Sequence, residues 1–150
     1  MMIVFEGFDK SGKTSIIKEF NKATNYEHVV FDRGPWSCMF FDKVIRGDNY
    51  MYCVHQQNAK ILSLSIELIV FCMCQKELAI ERLSNADEDI PTYFDDYEKN
   101  LSTYMELLEK NHYGTDVLFL PTDCTTIKGS VEHILNYINA KKAANKDGVL

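Results

Sequence analysis

Met1-Met2-Ile3-Val4-Phe5-Glu6-Gly7-Phe8-Asp9-Lys10-Ser11-Gly12-Lys13-Thr14-Ser15 decides how the chain reads. A run of β-forming residues breaks into a loop of the form G-x-x-x-x-G-K-[ST], and Ile16, Ile17 and Phe20 then recur at helical spacing. Strand, glycine-bounded loop and amphipathic helix in that order predict a cradle for phosphate. Gly7 and Gly12 lack a Cβ, so successive N–H groups can converge on one anion. The helix opening near Lys13 adds its positive dipole end. Lys13 supplies a full charge, and the Thr14 hydroxyl is placed to ligate the Mg²⁺ of a bound nucleotide.

Moving outward, the loop helix should end near Ala23 to Asn25. His28-Val29-Val30-Phe31-Asp32-Arg33-Gly34-Pro35 then reads as a buried strand stopped by a Gly-Pro break. Ligands of open α/β sheets sit at the carboxyl ends of strands, so Asp32 and Arg33 should fall beside the phosphate loop. Asp32 can hold Mg²⁺ through water, and Arg33 offers a fork of donors to a phosphate. Helices are expected over Trp36 to Arg46 and Tyr50 to Leu64; the polar run His55-Gln56-Gln57-Asn58 could read a nucleobase edge by its amides but reads more simply as a solvated face of the second. Ile66 to Met73 is nearly continuous apolar sequence, as a central parallel strand should be. Gln75 to Leu83 returns to a helix, and the acidic Ser84 to Ile90 is the candidate mobile lid. Pro91 opens a long helix whose Phe94, Tyr97, Leu101, Tyr104 and Leu108 form a core stripe. Val117 to Leu120 is the last strand, and Thr125 or Thr126 caps a final helix. The tail from Ala140 lacks apolar periodicity and is expected to fray, leaving a domain of residues 1–139.

Strands alternating with helices predict a parallel α/β sheet of about four strands with helices on both faces. A chain of 150 residues with 46% hydrophobic and 25% charged residues is expected to form one soluble domain. The formal charge of −6 gives no general basic surface, which argues against nucleic acid as partner. No apolar run reaches membrane-spanning length, and an export signal is lacking. The odd number and irregular spacing of the five cysteines suit reduced thiols in the cytoplasm, with Cys72 and Cys74 as core residues.

FEGFDKSGKTS, VVFDRGPWS, ELIVFCMCQKELAIERL and the tyrosine-bearing helix after Pro91 together resemble the thymidylate kinase family of P-loop nucleotide kinases, particularly its short bacteriophage members. The resemblance runs to about Ile138. It implies the three-layer P-loop NTPase fold of a nucleotide kinase and Mg²⁺-dependent transfer of the γ-phosphoryl of ATP to a deoxynucleoside monophosphate, most plausibly dTMP or a related pyrimidine. It implies an ATP site of Gly7, Asp9, Lys10, Ser11, Gly12, Lys13, Thr14 and Ser15, with Arg82 beside it. Thr14 and Asp32 would organise the metal and Arg33 would clamp the acceptor's phosphate. Asp9 would meet the 3′-hydroxyl of the deoxyribose and Ser37 would lie near the base. Phe41 stands where a tyrosine often packs against the sugar. A homodimer is compatible with the resemblance.

Two departures qualify it. Ser84 to Ile90 holds no basic residue, so the charge that stabilises the transferring phosphoryl falls to Lys10, with Arg82 or Arg46 assisting. Only about twenty residues separate the loop from the Asp-Arg strand, so a strand and helix that relatives insert there are missing. A monophosphate oxygen needs no general base, whereas a nucleoside 5′-hydroxyl benefits from a nearby carboxylate. The missing strand therefore favours the monophosphate over the nucleoside as acceptor. A nucleoside kinase and a non-catalytic nucleotide-binding protein stand as alternatives.

Overall fold

A computed structural model describes residues 1–148. Four parallel strands, β1 (Met2–Glu6), β2 (Val29–Asp32), β3 (Leu68–Met73) and β4 (Asp116–Pro121), form one sheet in the order β2-β1-β3-β4. Phe5 pairs with Asp32 on one side and Val70 on the other, so β1 and β2 end within a residue of each other while β3 runs on to Met73. The period of two along each strand divides the core. Ile3, Phe5, Leu68, Val70 and Cys72 face α1 (Lys13–Ala23) and α6 (Ile127–Asp147), meeting Ile16, Phe20 and Ile134. Val4, Ile69 and Phe71 face the opposite layer, built from α2 (Pro35–Phe41), α3 (Asn49–Leu62), α4 (Lys76–Asn85) and α5 (Tyr97–Asn111). A sheet between two helical layers is the predicted α/β architecture.

The aromatic stripe of α5 is core, with Tyr97 and Tyr104 almost fully buried. Trp36, also buried, donates its indole N–H to Asn111 O at 2.8 Å, locking α2 to the end of α5. Cys72 and Cys74 are buried free thiols, and burial pushes the Cys72 thiol up to about 12.

Several expectations are corrected. β2 is not a buried strand: it lies at the sheet edge with Val29 and Phe31 exposed, because no strand among the described residues covers its outer side. The helix expected over Trp36 to Arg46 widens into a π-helical turn at Asp42–Arg46. Pro91 opens only a 3₁₀ turn, Thr92–Phe94, and Asp95-Asp96 separates it from α5, in keeping with the turn preference of aspartate. Ser84 and Asn85 belong to α4 and not to the lid segment. His55 and Gln56 are not simply solvated: Gln56 Nε2 donates to Asn111 Oδ1 at 2.9 Å, and His55 meets Asp42. The segment from Ala140 continues α6 to Asp147, held by Lys141, whose Nζ lies 2.6 Å from Asp116 Oδ2 and donates to Glu67 O. Charge contacts hold this end where apolar periodicity is lacking. The fraying expected of Val149 and Leu150 lies outside the described residues.

Gly7 joins the sheet to the loop. Its φ is +137°, and a Cβ there would stand 2.2 Å from Cys72 O on β3. Gly7→Ala should therefore cost at least about 3 kcal/mol of stability, through backbone strain and displacement of β3. Urea denaturation would measure it, and an unchanged midpoint would contradict this packing.

Candidate active site

Phe8, the first residue inside the loop, is buried at the centre of an aromatic cluster, its ring 5.0 to 5.7 Å from those of Phe40, Tyr93, Tyr97 and Tyr104. The loop's carbonyls are tied to side chains. Lys13 Nζ donates to Phe8 O at 3.3 Å, Arg82 Nη1 to Lys10 O at 2.7 Å and Thr122 Oγ1 to Ser11 O at 2.6 Å. Gly12, at φ +92°, caps α1, whose first-turn N–H groups have no intrahelical acceptor. An anion arriving here meets amide donors and the helix dipole.

A cavity of about 700 Å³ opens above the loop. Of the residues predicted from sequence, Asp9, Lys10, Gly12, Lys13, Thr14, Ser15, Asp32, Arg33 and Arg82 line it. Gly7 and Ser11 do not: both are buried beneath, as packing of the loop. A second cavity of about 580 Å³ lies beside the first, lined by Arg33, Gly34, Ser37, Cys38, Phe41 and Arg46. The expected acceptor residues Arg33, Ser37, Phe41 and Arg46 thus share one wall, and Asp9 faces the first cavity only. Arg33 lines both.

Arg33 sits at φ +72°, an uncommon conformation for a non-glycine residue. Its N–H donates to Phe5 O at 2.8 Å, and the next amide, Gly34 N–H, donates to Glu6 Oε1 at 2.8 Å. These bonds turn the guanidinium inward, where it pairs with Asp9 Oδ1. Tyr93 Oη donates to Asp9 Oδ2 at 2.6 Å. Burial alone would raise the Asp9 carboxyl, but Tyr93 and Arg33 together hold it below its ordinary value. The same contact with Asp9 raises Arg33 against the effect of its burial. Lys13 is lowered by burial and by the neighbouring Arg33.

Lys10 does not stand free. Its Nζ lies 2.6 Å from Glu88 Oε1, in the acidic segment expected to act as the lid. Ser37 is also engaged, donating its hydroxyl to Gly34 O at 2.9 Å. Asp32 and Thr14 are exposed to the cavity, and Asp32 has no hydrogen-bonding or ionic partner among the described residues.

Sequence reasoning assigned no place in the site to Glu6, Tyr93 or the wall formed by Thr122, Thr125, Thr126, Ile127 and Ser130, reading only Thr125 or Thr126 as a helix cap. That wall follows the carboxyl end of β4, where the rule for open sheets would have found it. The Thr126 side chain accepts from Gly129 N–H, and Ser130 Oγ is buried without a hydrogen-bond partner. Glu6 is an acid inside an apolar strand, a signal by itself. Fully buried, it receives Gly34 N–H on one oxygen and Tyr104 Oη at 2.5 Å on the other. Burial outweighs both and pushes its carboxyl from 4.5 up to about 7.

No protein-family model and no curated protein matches the chain. Among solved structures it is similar to deoxyadenosine kinase from M. mycoides with the products dCMP and a flexible dCDP bound, at TM-score 0.69 and 18% identity, covering 93% of this chain and 100% of that one. It is similar to the YorR protein from Bacillus subtilis in complex with phosphorylated GDP, at TM-score 0.69 and 14% identity over 95% and 98% of the two chains. Shikimate kinase from Bacteroides thetaiotaomicron aligns at TM-score 0.53 and 13% identity over 93% and 98%. The likeness is one of fold: an α/β kinase-like P-loop domain with a four-stranded parallel sheet. No described helix is long and apolar enough to cross a membrane.

The raised Glu6 has a consequence for stability. Above its ordinary value of 4.5 the unfolded carboxyl ionises while the folded one stays protonated until about 7, so this group destabilises the native state as pH rises through that window. Glu6→Gln removes the effect. Its stability relative to the parent should climb by up to about 3 kcal/mol between pH 4.5 and 8. Parallel denaturation curves across that range would refute the assignment.

Proposed function

We propose that the protein transfers the terminal phosphoryl group of Mg²⁺-ATP to a deoxynucleoside monophosphate, as its resemblance to the thymidylate kinases implies. The observation that carries this reading is Arg33, whose side chain lines both the cavity over the phosphate loop and the cavity walled by Ser37, Phe41 and Arg46. A fixed cation at the junction of two adjoining cavities suits two phosphate-bearing ligands meeting end to end.

The donor's phosphates would lie against the loop amides, Lys13 and the N-terminus of α1. Its nucleoside would extend toward the hydroxyl wall of Thr125, Thr126 and Ser130. Mg²⁺ fits the donor set, because this hard cation uses one or two protein oxygens alongside phosphate oxygens, and the Thr14 hydroxyl and unpaired Asp32 carboxylate supply such oxygens. The metal would neutralise phosphate charge. In the reaction an acceptor phosphate oxygen forms the new bond to the γ-phosphorus as the bond to the β–γ bridging oxygen breaks, giving ADP and a nucleoside diphosphate. Arg33 would draw the acceptor's phosphate out of its own solvation, exchanging Asp9 for it. Lys10 would leave Glu88 for the transferring group, and Arg82 would hold the loop through Lys10 O.

One observation favours a second reading. Glu6 places a carboxyl beneath Gly34 with its ionisation near neutral pH, the property wanted of a general base for a nucleoside 5′-hydroxyl. Where the missing strand would leave this task to Asp9 or Asp32, Glu6 on β1 is a third carboxyl near the loop. Both its oxygens are occupied and it lines neither cavity, which keeps the monophosphate reading first.

Incubation with Mg²⁺-ATP and a panel of deoxynucleosides and their monophosphates separates these readings. Turnover of a monophosphate that survives Glu6→Gln is expected; turnover of nucleosides alone, lost in that variant, would establish the second. ATP binding without any acceptor would mark a non-catalytic nucleotide-binding protein. Lys10→Ala should lower kcat about 100-fold with the KM for ATP little changed, whereas Glu88→Gln should leave kcat intact or raise it. Equal rates for Lys10→Ala and the parent would remove Lys10 from catalysis.

A further inference from the structure

The turn between α2 and α3 holds a polar cluster that the proposed reaction does not use directly. The π-helical turn Asp42–Arg46 directs the Asp42 side chain inward, leaving it 1% exposed. π-Helical turns are rare and occur often at functional sites. Asp42 Oδ1 accepts from Arg46 Nη1 at 2.8 Å, and Oδ2 lies 2.6 Å from His55 Nδ1 on α3. Arg46 is 60% exposed and lines the second cavity, on the wall shared with Arg33. An exposed arginine side chain has many rotamers to lose, so its tip is well placed only if a partner fixes it. Asp42 is that partner. A buried carboxylate is itself positioned only when both oxygens are satisfied, and its second oxygen depends on His55. The pairing with Arg46 and His55 holds the Asp42 carboxyl below its ordinary value despite burial.

From this geometry we infer that His55 is a positioning residue for the acceptor, acting through Asp42 to aim Arg46 into the second cavity. The inference rests on the reading of that cavity as the acceptor site. His55 touches neither cavity, so its effect is confined to acceptor affinity. The chain from His55 to Arg46 lies wholly within the α2–α3 hairpin, apart from the phosphate loop and the residues that face ATP.

The test is steady-state kinetics with the acceptor that the wild-type protein phosphorylates. Without any wild-type turnover the acceptor reading fails, and the inference with it. Given turnover, His55→Ala should raise the acceptor KM about fivefold, leaving kcat and the KM for ATP within about twofold. His55→Asn carries its amide nitrogen at the Nδ1 position and should restore the acceptor KM; His55→Gln, with that nitrogen at the Nε2 position, should not. In an Arg46→Ala background His55→Ala should add nothing further. Should His55→Ala fail to fold, the contrast between Asn and Gln, with thermal melts of each, answers the same question. A merely structural role predicts a lower apparent kcat from loss of folded protein without this KM pattern: equal acceptor KM for the Asn and Gln variants, or multiplying effects of His55→Ala and Arg46→Ala, would overturn the inference while leaving the proposed function standing.

Discussion

The architecture of the site depends on a single buried carboxyl. Glu6 ends β1, yet its oxygens gather Gly34 N–H from the turn after β2 and the hydroxyl of Tyr104 from α5. Three elements distant in sequence are thus pinned to one point beneath the cavities. A carboxyl without exposure is costly to bury, and the cost is offset only while both donors stay in place. Arg33 is the residue that benefits. It occupies a left-handed conformation between two bonded amides, its own to Phe5 O and that of Gly34 to Glu6, so the direction of its guanidinium follows from the frame of the sheet.

The phosphate loop is held with comparable redundancy from outside. Phe8 plugs it into the aromatic core, while Arg82 and Thr122, from α4 and the end of β4, bind its carbonyls. Rigid support of this kind lets a short sheet carry a two-cavity site: the loop needs no covering strand, and β2 can remain an open edge. The small four-stranded core and the precision of the loop are compatible because different groups supply them.

Legibility from sequence followed the range of the interactions. The strand, loop and helix around Lys13 were readable because glycine, apolar periodicity and helix-start residues act over a few positions. The sheet was readable for the same reason, and Asp32 and Arg33 were placed by the rule that ligands meet strand ends. The exposed state of β2 was not readable, since Val29 to Phe31 would look alike at an edge or in the centre. Tyr93 lies just before the predicted stripe and out of its helical period, so nothing local marked either its packing on Phe8 or its hydroxyl contact with Asp9. The engagement of His55 with Asp42 and of Lys10 with Glu88 depends on which elements the topology juxtaposes, information no local pattern contains. Helix α6 outran its expected end because Lys141 finds Asp116 and Glu67, contacts invisible to an apolar period.

The pairing of cations has a consequence for selectivity. Lys10, Arg33 and Arg46 each face a carboxylate, from Glu88, Asp9 and Asp42 respectively. A phosphate ligand reaching Lys10, Arg33 or Arg46 would exchange with an acid already there. A singly charged carboxylate or sulfonate that displaces Asp9 or Glu88 trades one such contact for another and gains little. A phosphate ester near two negative charges, with three acceptor oxygens, gains on each exchange. On the reading proposed above, the acids paired with Lys10 and Arg33 would raise the charge density that a ligand needs in order to displace them.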